Sequence, residues 1–87
     1  MLKTTICDLF GIRYPIIQGG MTYLANPELV AAVSNAGALG FLGTGNAPPD
    51  WVREQVYLTR ALTDSPFGIN IMVGSTFADE LVEVAIE

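Results

Sequence analysis

The chain has 87 residues, 51% of them hydrophobic, and nine acidic against four basic side chains give it a net charge of −5. Because it contains no basic run that could follow a phosphate backbone, this charge disfavours nucleic acid as a partner. A single cysteine and the absence of histidine exclude an internal disulfide, a zinc site and Ser-His-Asp or Cys-His catalysis by these residues. We expect Cys7 to be a small buried side chain and expect no metal site.

No apolar run in the sequence approaches the roughly 20 residues of a membrane span. The amino terminus also lacks the apolar segment of a signal peptide. We therefore expect a cytoplasmic protein without membrane contact. The hydrophobic content is high for a chain that can bury only a small core, which suggests apolar surfaces that further sequence or another copy would cover.

The first periodic segment predicts a short helix within residues 3–12. Ile6 and Leu9 recur at helical spacing, and Thr5 stands three residues before Asp8 in the manner of a capping box. In a barrel, such a helix would close the end that lies away from the chemistry.

A short apolar run at residues 14–21 predicts the first strand. Pro15 lacks an N–H and holds Tyr14 extended, which suits the first position of a strand, and Ile16 and Ile17 add β-branched side chains. The run is apolar on both faces, as buried parallel strands are. It breaks into two glycines at its carboxyl end, where parallel α/β folds bind ligands, so a flat ligand could lie on that backbone.

A helix and a second strand follow directly. Asn26, Pro27 and Glu28 form a helix start, with an N-cap, a proline in the first turn and a carboxylate at the positive end of the dipole. We predict a helix over residues 27–36 and a strand over residues 38–43. Strand, helix and strand within about 30 residues form a βαβ unit with parallel strands.

The remaining residues predict one further strand between two helices. Residues 48–50 begin a helix whose apolar side chains recur at spacings of three and four, and Trp51 is interpreted as a packing residue rather than a ligand stacker. A strand is predicted at residues 67–73, and a last helix at residues 77–86 with Thr76 as its cap. The predicted fold class is therefore α/β, with three βα units and parallel strands.

Asn70 is the polar side chain that most needs an explanation. Alternation places Gly68, Asn70 and Met72 on one face of the third strand. Burying an amide without partners costs about 1–3 kcal/mol, so Asn70 must bond either to neighbouring backbone or to a ligand. Gly68 leaves room on that face, which favours the ligand. The glycines of residues 37–45 lack the Gly-x-Gly-x-x-Gly order, and a Rossmann dinucleotide site is not predicted.

Four blocks of the sequence resemble, in order and spacing, the opening of the flavin-dependent nitronate monooxygenases, a pattern shared by the FMN-containing enoyl-acyl-carrier-protein reductases. The blocks are residues 14–21 (YPIIQGGM), 31–40 (AAVSNAGALG), 45–48 (GNAP) and 62–73 (LTDSPFGINIMV). The resemblance implies that residues 1–87 are the amino-terminal portion, three βα units, of a single FMN-binding (β/α)8 TIM barrel domain.

The resemblance also implies a cofactor site. Gly20, Met21 and Thr22 would approach the FMN ring, largely by backbone contact, and Asn70 would bond to the cofactor. The phosphate anchor and the family's catalytic histidine would lie beyond residue 87, so the resemblance assigns no catalytic residue to this chain. We expect these 87 residues alone to be inactive.

Three functions remain open. The resemblance implies a flavoprotein oxidoreductase, either a nitronate monooxygenase that oxidises alkyl nitronates with O2, or an enoyl-acyl-carrier-protein reductase that uses NAD(P)H in fatty-acid synthesis. The substrate would accordingly be a nitronate or an enoyl thioester. The alternative from another class is a non-catalytic module that oligomerises through apolar faces, with a homodimer as the simplest assembly. A metal-free phosphosugar barrel shares the fold but not the four sequence blocks.

Overall fold

The computed structural model describes residues 4–86, which form four helices and three strands. The elements are α1 (Thr5–Phe10), β1 (Ile17–Gln18), α2 (Pro27–Asn35), β2 (Leu39–Gly43), α3 (Pro49–Leu62), β3 (Phe67–Asn70) and α4 (Ala78–Ile86). Among residues 4–86, the longest helix has 14 residues, and none is both long and apolar enough to cross a bilayer.

The three strands form one parallel sheet in the order β1-β2-β3. Ile17 of β1 is in register with Leu39 of β2, and Gly43 at the end of β2 is in register with Asn70 of β3. A helix connects each strand to the next. The predicted α/β class with parallel strands and βα units is confirmed.

Helix α2 begins as its sequence predicts. The Asn26 Oδ1 accepts a hydrogen bond from the Leu29 N–H at 3.0 Å, and Pro27 occupies the first turn. The helix ends at Asn35, and Gly37 follows with a φ of +102°, a conformation that L side chains rarely adopt. Both ends of this helix are thus determined by residues within or next to it.

The main core lies between the sheet and helices α2, α3 and α4, on what we call the outer face. Its buried residues are Ala25, Val30, Leu42, Ala47, Val52, Val56, Leu81 and Val84. A Cβ on Gly40 would lie 2.7 Å from the Val30 carbonyl oxygen, so α2 rests directly on β2. Trp51 is partly buried against this core, and its ring meets Tyr23 edge-on with centroids 5.9 Å apart. The interpretation of Trp51 as a packing residue is confirmed.

A smaller cluster lies on the opposite, inner face of the sheet. Cys7 of α1, Ile12 and Leu39 are buried together, and Phe41 packs against them. Cys7 is buried, as predicted. Because Leu39 is the first residue of β2, helix α1 lies at the amino end of the sheet, away from the loops at the carboxyl ends.

Several predicted boundaries differ in the structure. The N-cap of α1 is Thr4 rather than Thr5, and its side chain makes no capping hydrogen bond, so the predicted capping box is wrong. Strand β1 begins at Ile17 rather than Pro15. The hydroxyl that accepts a hydrogen bond at the start of α4 belongs to Ser75, which bonds the Phe77 N–H, and not to Thr76.

Strand β3 ends at Asn70, three residues before the predicted end. Its neighbour β2 stops at Gly43, the register partner of Asn70, so the ladder has no further rung. Ile71 still packs against the main core, whereas Val73 is 92% exposed. Packing against the core therefore continues one residue beyond the strand, to Ile71, while the strand itself requires a hydrogen-bonded neighbour.

Candidate functional site

Parallel strands place their carboxyl ends at one edge of a sheet, and the loops after the three strands meet there. These loops comprise residues 19–26 after β1, residues 44–48 after β2 and residues 71–77 after β3. They carry no Asp, Glu, Lys or Arg side chain. Within residues 4–86 no group of three or more His, Cys, Asp or Glu side chains could hold a metal ion. The edge is therefore a neutral surface of backbone, amides, hydroxyls and apolar side chains.

Gly20 and Asn70 are in direct contact. A Cβ built on Gly20 would lie 2.6 Å from the Asn70 Cβ and 3.2 Å from the Leu42 carbonyl oxygen. Contacts below 3.0 Å essentially never occur, so only glycine lets Asn70 occupy its present position. The tertiary structure thereby joins the first and the last of the predicted site residues, which lie fifty positions apart in the sequence.

The Asn70 side chain is exposed at this edge, and its amide forms no hydrogen bond to another residue of the described chain. The alternative considered from the sequence, a bond from this amide to neighbouring backbone, is absent from the structure of residues 4–86. Because the side-chain amide of Asn70 has no partner within residues 4–86, it can bond to a ligand without losing a hydrogen bond within the protein.

The space beside Gly68 was expected to serve the ligand, and this expectation is wrong. A Cβ on Gly68 would lie 2.6 Å from Cε2 of Phe41, its register partner on β2. The aromatic ring therefore fills the gap. Sequence reasoning missed this because the ring comes from the neighbouring strand.

Met21 lies across the end of β2. A Cβ on Gly43 would approach the Met21 carbonyl oxygen to 2.2 Å and the Met21 nitrogen to 2.7 Å. The same carbonyl accepts a hydrogen bond from the Ala25 N–H at 2.8 Å, and the Gly43 N–H donates to the Ala25 carbonyl at 3.2 Å. The Met21 backbone is thus held against β2, while its side chain is 43% exposed.

Thr22 packs on the next loop. A Cβ on Gly45 would lie 2.7 Å from the Thr22 Oγ1, and Gly45 has a φ of +52°. Thr22 itself is exposed. All four predicted site residues therefore lie at one edge of the sheet, where Met21 packs on Gly43 and Thr22 packs on Gly45.

Gly19 differs from these glycines because nothing lies within 4 Å of where its Cβ would be. Beside it, the Gln18 Nε2 donates to the Phe41 carbonyl at 3.1 Å and to the Gly19 carbonyl. The Gln18 Oε1 is buried without a hydrogen-bond partner within residues 4–86. Buried unpartnered polar atoms are costly, and this oxygen is the one such side-chain atom within residues 4–86.

Sequence reasoning missed two polar links between the loops. The hydroxyl of Thr44, a buried residue, donates to the Asn70 carbonyl at 2.6 Å. The Asn46 Oδ1 accepts hydrogen bonds from the Ser75 Oγ at 3.1 Å and the Thr76 N–H at 2.8 Å. Small polar residues directly after a predicted strand were the available signal, but their partners are more than 25 residues away. The Asn46 oxygen is therefore occupied by this link between the loops.

The sequence and the fold of this chain are similar to those of known proteins. A three-stranded parallel sheet with a helix between successive strands is the architecture of an α/β protein. The sequence profile of the nitronate monooxygenase family matches residues 3–86, and the chain belongs to this family. The resemblance stated from the four sequence blocks is confirmed.

Several relatives carry different functional names. The chain is 49% identical over 69 residues to the nitronate monooxygenase of Paraburkholderia phytofirmans, covering 79% of this chain and 19% of that protein. It is 38% identical over 85 residues to a (3aS,4S,5R,7aS)-5-hydroxy-7a-methyl-1-oxo-octahydro-1H-indene-4-carboxyl-CoA dehydrogenase of Mycobacterium tuberculosis, covering 98% of this chain and 24% of that protein.

The fold has a close counterpart among solved structures. FabK of Thermotoga maritima superimposes with a TM-score of 0.96 at 45% sequence identity, over 99% of this chain and 28% of that one. The match agrees with the predicted arrangement of amino-terminal βα units of a TIM barrel. The chain thus spans between 19% and 28% of the length of these three proteins.

Proposed function

We propose that these residues form the first three βα units of a longer (β/α)8 barrel, and that the whole protein is an FMN-dependent oxidoreductase of the nitronate monooxygenase type. The observation that carries the proposal is the carboxyl edge of the sheet. There the backbone at Gly19 is open, and the exposed Asn70 amide lacks a protein partner within residues 4–86. Membership of a family whose proteins are generally flavin-dependent supports it.

The residues present fit one wall of a flavin site. A flavin ring needs a flat, uncharged bed and hydrogen-bonding groups around its polar edge. The backbone of Gly20, Met21 and Thr22 would supply the bed, and Asn70 would bond to the cofactor. When bound, FMN would accept electrons from the substrate and pass them on. This chain's own residues would hold and orient the ring, because none of the loops carries a group suited to general acid or base catalysis near neutral pH.

The first test is an intact mass and an absorption spectrum of the protein purified from its natural host. We expect a mass several times 9.3 kDa together with flavin bands in the visible region. A 9.3 kDa species without flavin would contradict the proposal. An 87-residue polypeptide that bound FMN stoichiometrically and turned over substrate would contradict the division of the site between this chain and further sequence.

A second activity, that of an enoyl-acyl-carrier-protein reductase, is supported by the similarity to FabK. Under this alternative the electron donor is NAD(P)H and the substrate is an enoyl thioester. The two activities separate in an anaerobic experiment on the flavin-loaded protein. If an alkyl nitronate bleaches the flavin and NAD(P)H does not, the monooxygenase holds. If NAD(P)H alone bleaches it and an enoyl thioester restores the colour, the reductase holds.

A non-catalytic oligomer is favoured by the exposed apolar side chains of β1 and its flank. Ile16 and Ile17 are 58% and 49% exposed. If a homodimer buries them, Ile17→Asn should lower the self-association of the 87-residue polypeptide in sedimentation experiments. Tyr57→Asn is the matched control, because Tyr57 is 58% exposed on α3 and lies outside this surface. Equal association of both variants would remove this alternative.

A further inference from the structure

Thr44 lies outside the predicted site and donates a side-chain hydrogen bond to one of its residues, Asn70. It follows β2 immediately and is only 2% exposed. Its hydroxyl donates to the Asn70 carbonyl oxygen at 2.6 Å, and its own carbonyl accepts from the Ala47 N–H at 2.9 Å in a tight turn. The donor is therefore fixed by burial and by the turn, and its acceptor is the last residue of β3.

Asn70 is held on two sides. On one side, Gly20 leaves room for the Asn70 Cβ because it has no side chain. A Cβ on Gly20 would lie 2.6 Å from the Asn70 Cβ. From another side, Thr44 holds the Asn70 carbonyl. The position of the backbone determines where an exposed side chain can reach, and the Asn70 amide has no other partner within residues 4–86 to orient it.

The bond also lies where the ladder ends. Gly43 and Asn70 are the last register pair of β2 and β3, so the chain after Asn70 leaves the sheet. A strand end without a further rung frays easily, because the next backbone hydrogen bond is missing. The Thr44 hydroxyl adds a side-chain hydrogen bond to the Asn70 carbonyl at this end of the ladder.

We infer that Thr44 is a positioning residue for the cofactor, acting through Asn70: its buried hydroxyl fixes the end of β3 so that the Asn70 amide points at the flavin. This inference rests on the proposed function. It assigns to Thr44 no contact with the cofactor or the substrate.

The test measures the Kd for FMN by quenching of flavin fluorescence, in the apoprotein of the full polypeptide that the gene encodes. Thr44→Val keeps the shape and removes the hydroxyl, and we expect the Kd to rise about threefold to tenfold, the effect of one lost hydrogen bond. Thr44→Ser keeps the hydroxyl and should restore binding to within about twofold of the wild type.

Thr59→Val is the matched control for a purely structural effect. Thr59 is completely buried, and its hydroxyl donates to the Gln55 carbonyl at 2.8 Å within α3, away from the site. We expect it to leave the Kd unchanged even if it lowers thermal stability. Should Thr44→Val fail to fold, Thr44→Cys, of similar size and with a weak donor, is titrated in its place.

A double-mutant cycle separates positioning from general stability. In an Asn70→Ala background, Thr44→Val should no longer raise the Kd, since the amide that it positions is gone. An equal rise in both backgrounds, or no rise in the wild-type background, overturns the inference while leaving the proposed function intact. A wild-type protein that binds no FMN overturns both.

Discussion

The two faces of the sheet differ in how completely the chain covers them. On the outer face, Leu42 of the sheet, Val30 of α2 and Val52 of α3 are each at most 2% exposed. On the inner face, Ile17 is 49% exposed and Asn70 is also exposed, with only α1 covering the amino end. The difference teaches that most of the buried contacts in these βα units lie on one face, while the other face is left largely uncovered within residues 4–86.

The glycines at the carboxyl edge repeat this contrast on a smaller scale. Gly43 is enclosed by the Met21 backbone, whereas Gly19 borders open space. The enclosed glycine serves close packing between loops, and the open one leaves backbone accessible. Two glycines that each follow a short apolar run in the sequence are therefore required for different structural roles.

The largest expected effect follows removal of a core side chain from the outer face. Leu42→Ala should lower the free energy of unfolding by about 2–5 kcal/mol, because it leaves a cavity beneath the helices. Leu58→Ala is the control, since Leu58 is 46% exposed on α3 and should cost less than about 1 kcal/mol. Chemical denaturation of both variants measures the difference. Similar losses would show that the outer face is not the main source of stability.

The next effect compares the enclosed and the open glycine. Gly43→Ala should destabilise the protein by about 1–3 kcal/mol, because the new Cβ forces the Met21 backbone away from β2. Gly19→Ala should stay within about 0.5 kcal/mol of the wild type, since its Cβ meets nothing. Thermal unfolding followed by circular dichroism reports both. A Gly19 variant as unstable as the Gly43 variant would mean that the space beside Gly19 is not open.

The smallest effect concerns the start of helix α2 on the outer face. Asn26→Ala removes the side chain that caps the Leu29 N–H and should cost about 0.5–2 kcal/mol. Asn26→Asp keeps an accepting oxygen and should retain most of the stability. The free energy of unfolding in urea compares the two variants. If both lose the same amount, the cap hydrogen bond does not stabilise α2.

The accuracy of the sequence-based predictions differed between helices and strands. Helix α2 was predicted within one residue, because Asn26 and Pro27 act on backbone groups only a few positions away. Strand β3 was predicted too long, because its end depends on where β2 stops. At the site, the grouping of Gly20 and Asn70 at one edge followed from parallel strands. That Phe41 fills the space beside Gly68 did not follow, since no local pattern reports a neighbour 27 residues away.

The sequence by itself determined the alternation of strands and helices, the family, and the set of residues at the carboxyl edge. These follow from local propensity, from hydrophobic periodicity and from motifs in a fixed order. Only the tertiary structure decided which glycine is enclosed and which is open, that the Asn70 amide has no protein partner within residues 4–86, and that Thr44 holds its carbonyl. The physical reason is that these features are distances between atoms of different strands, which exist only once the sheet has formed.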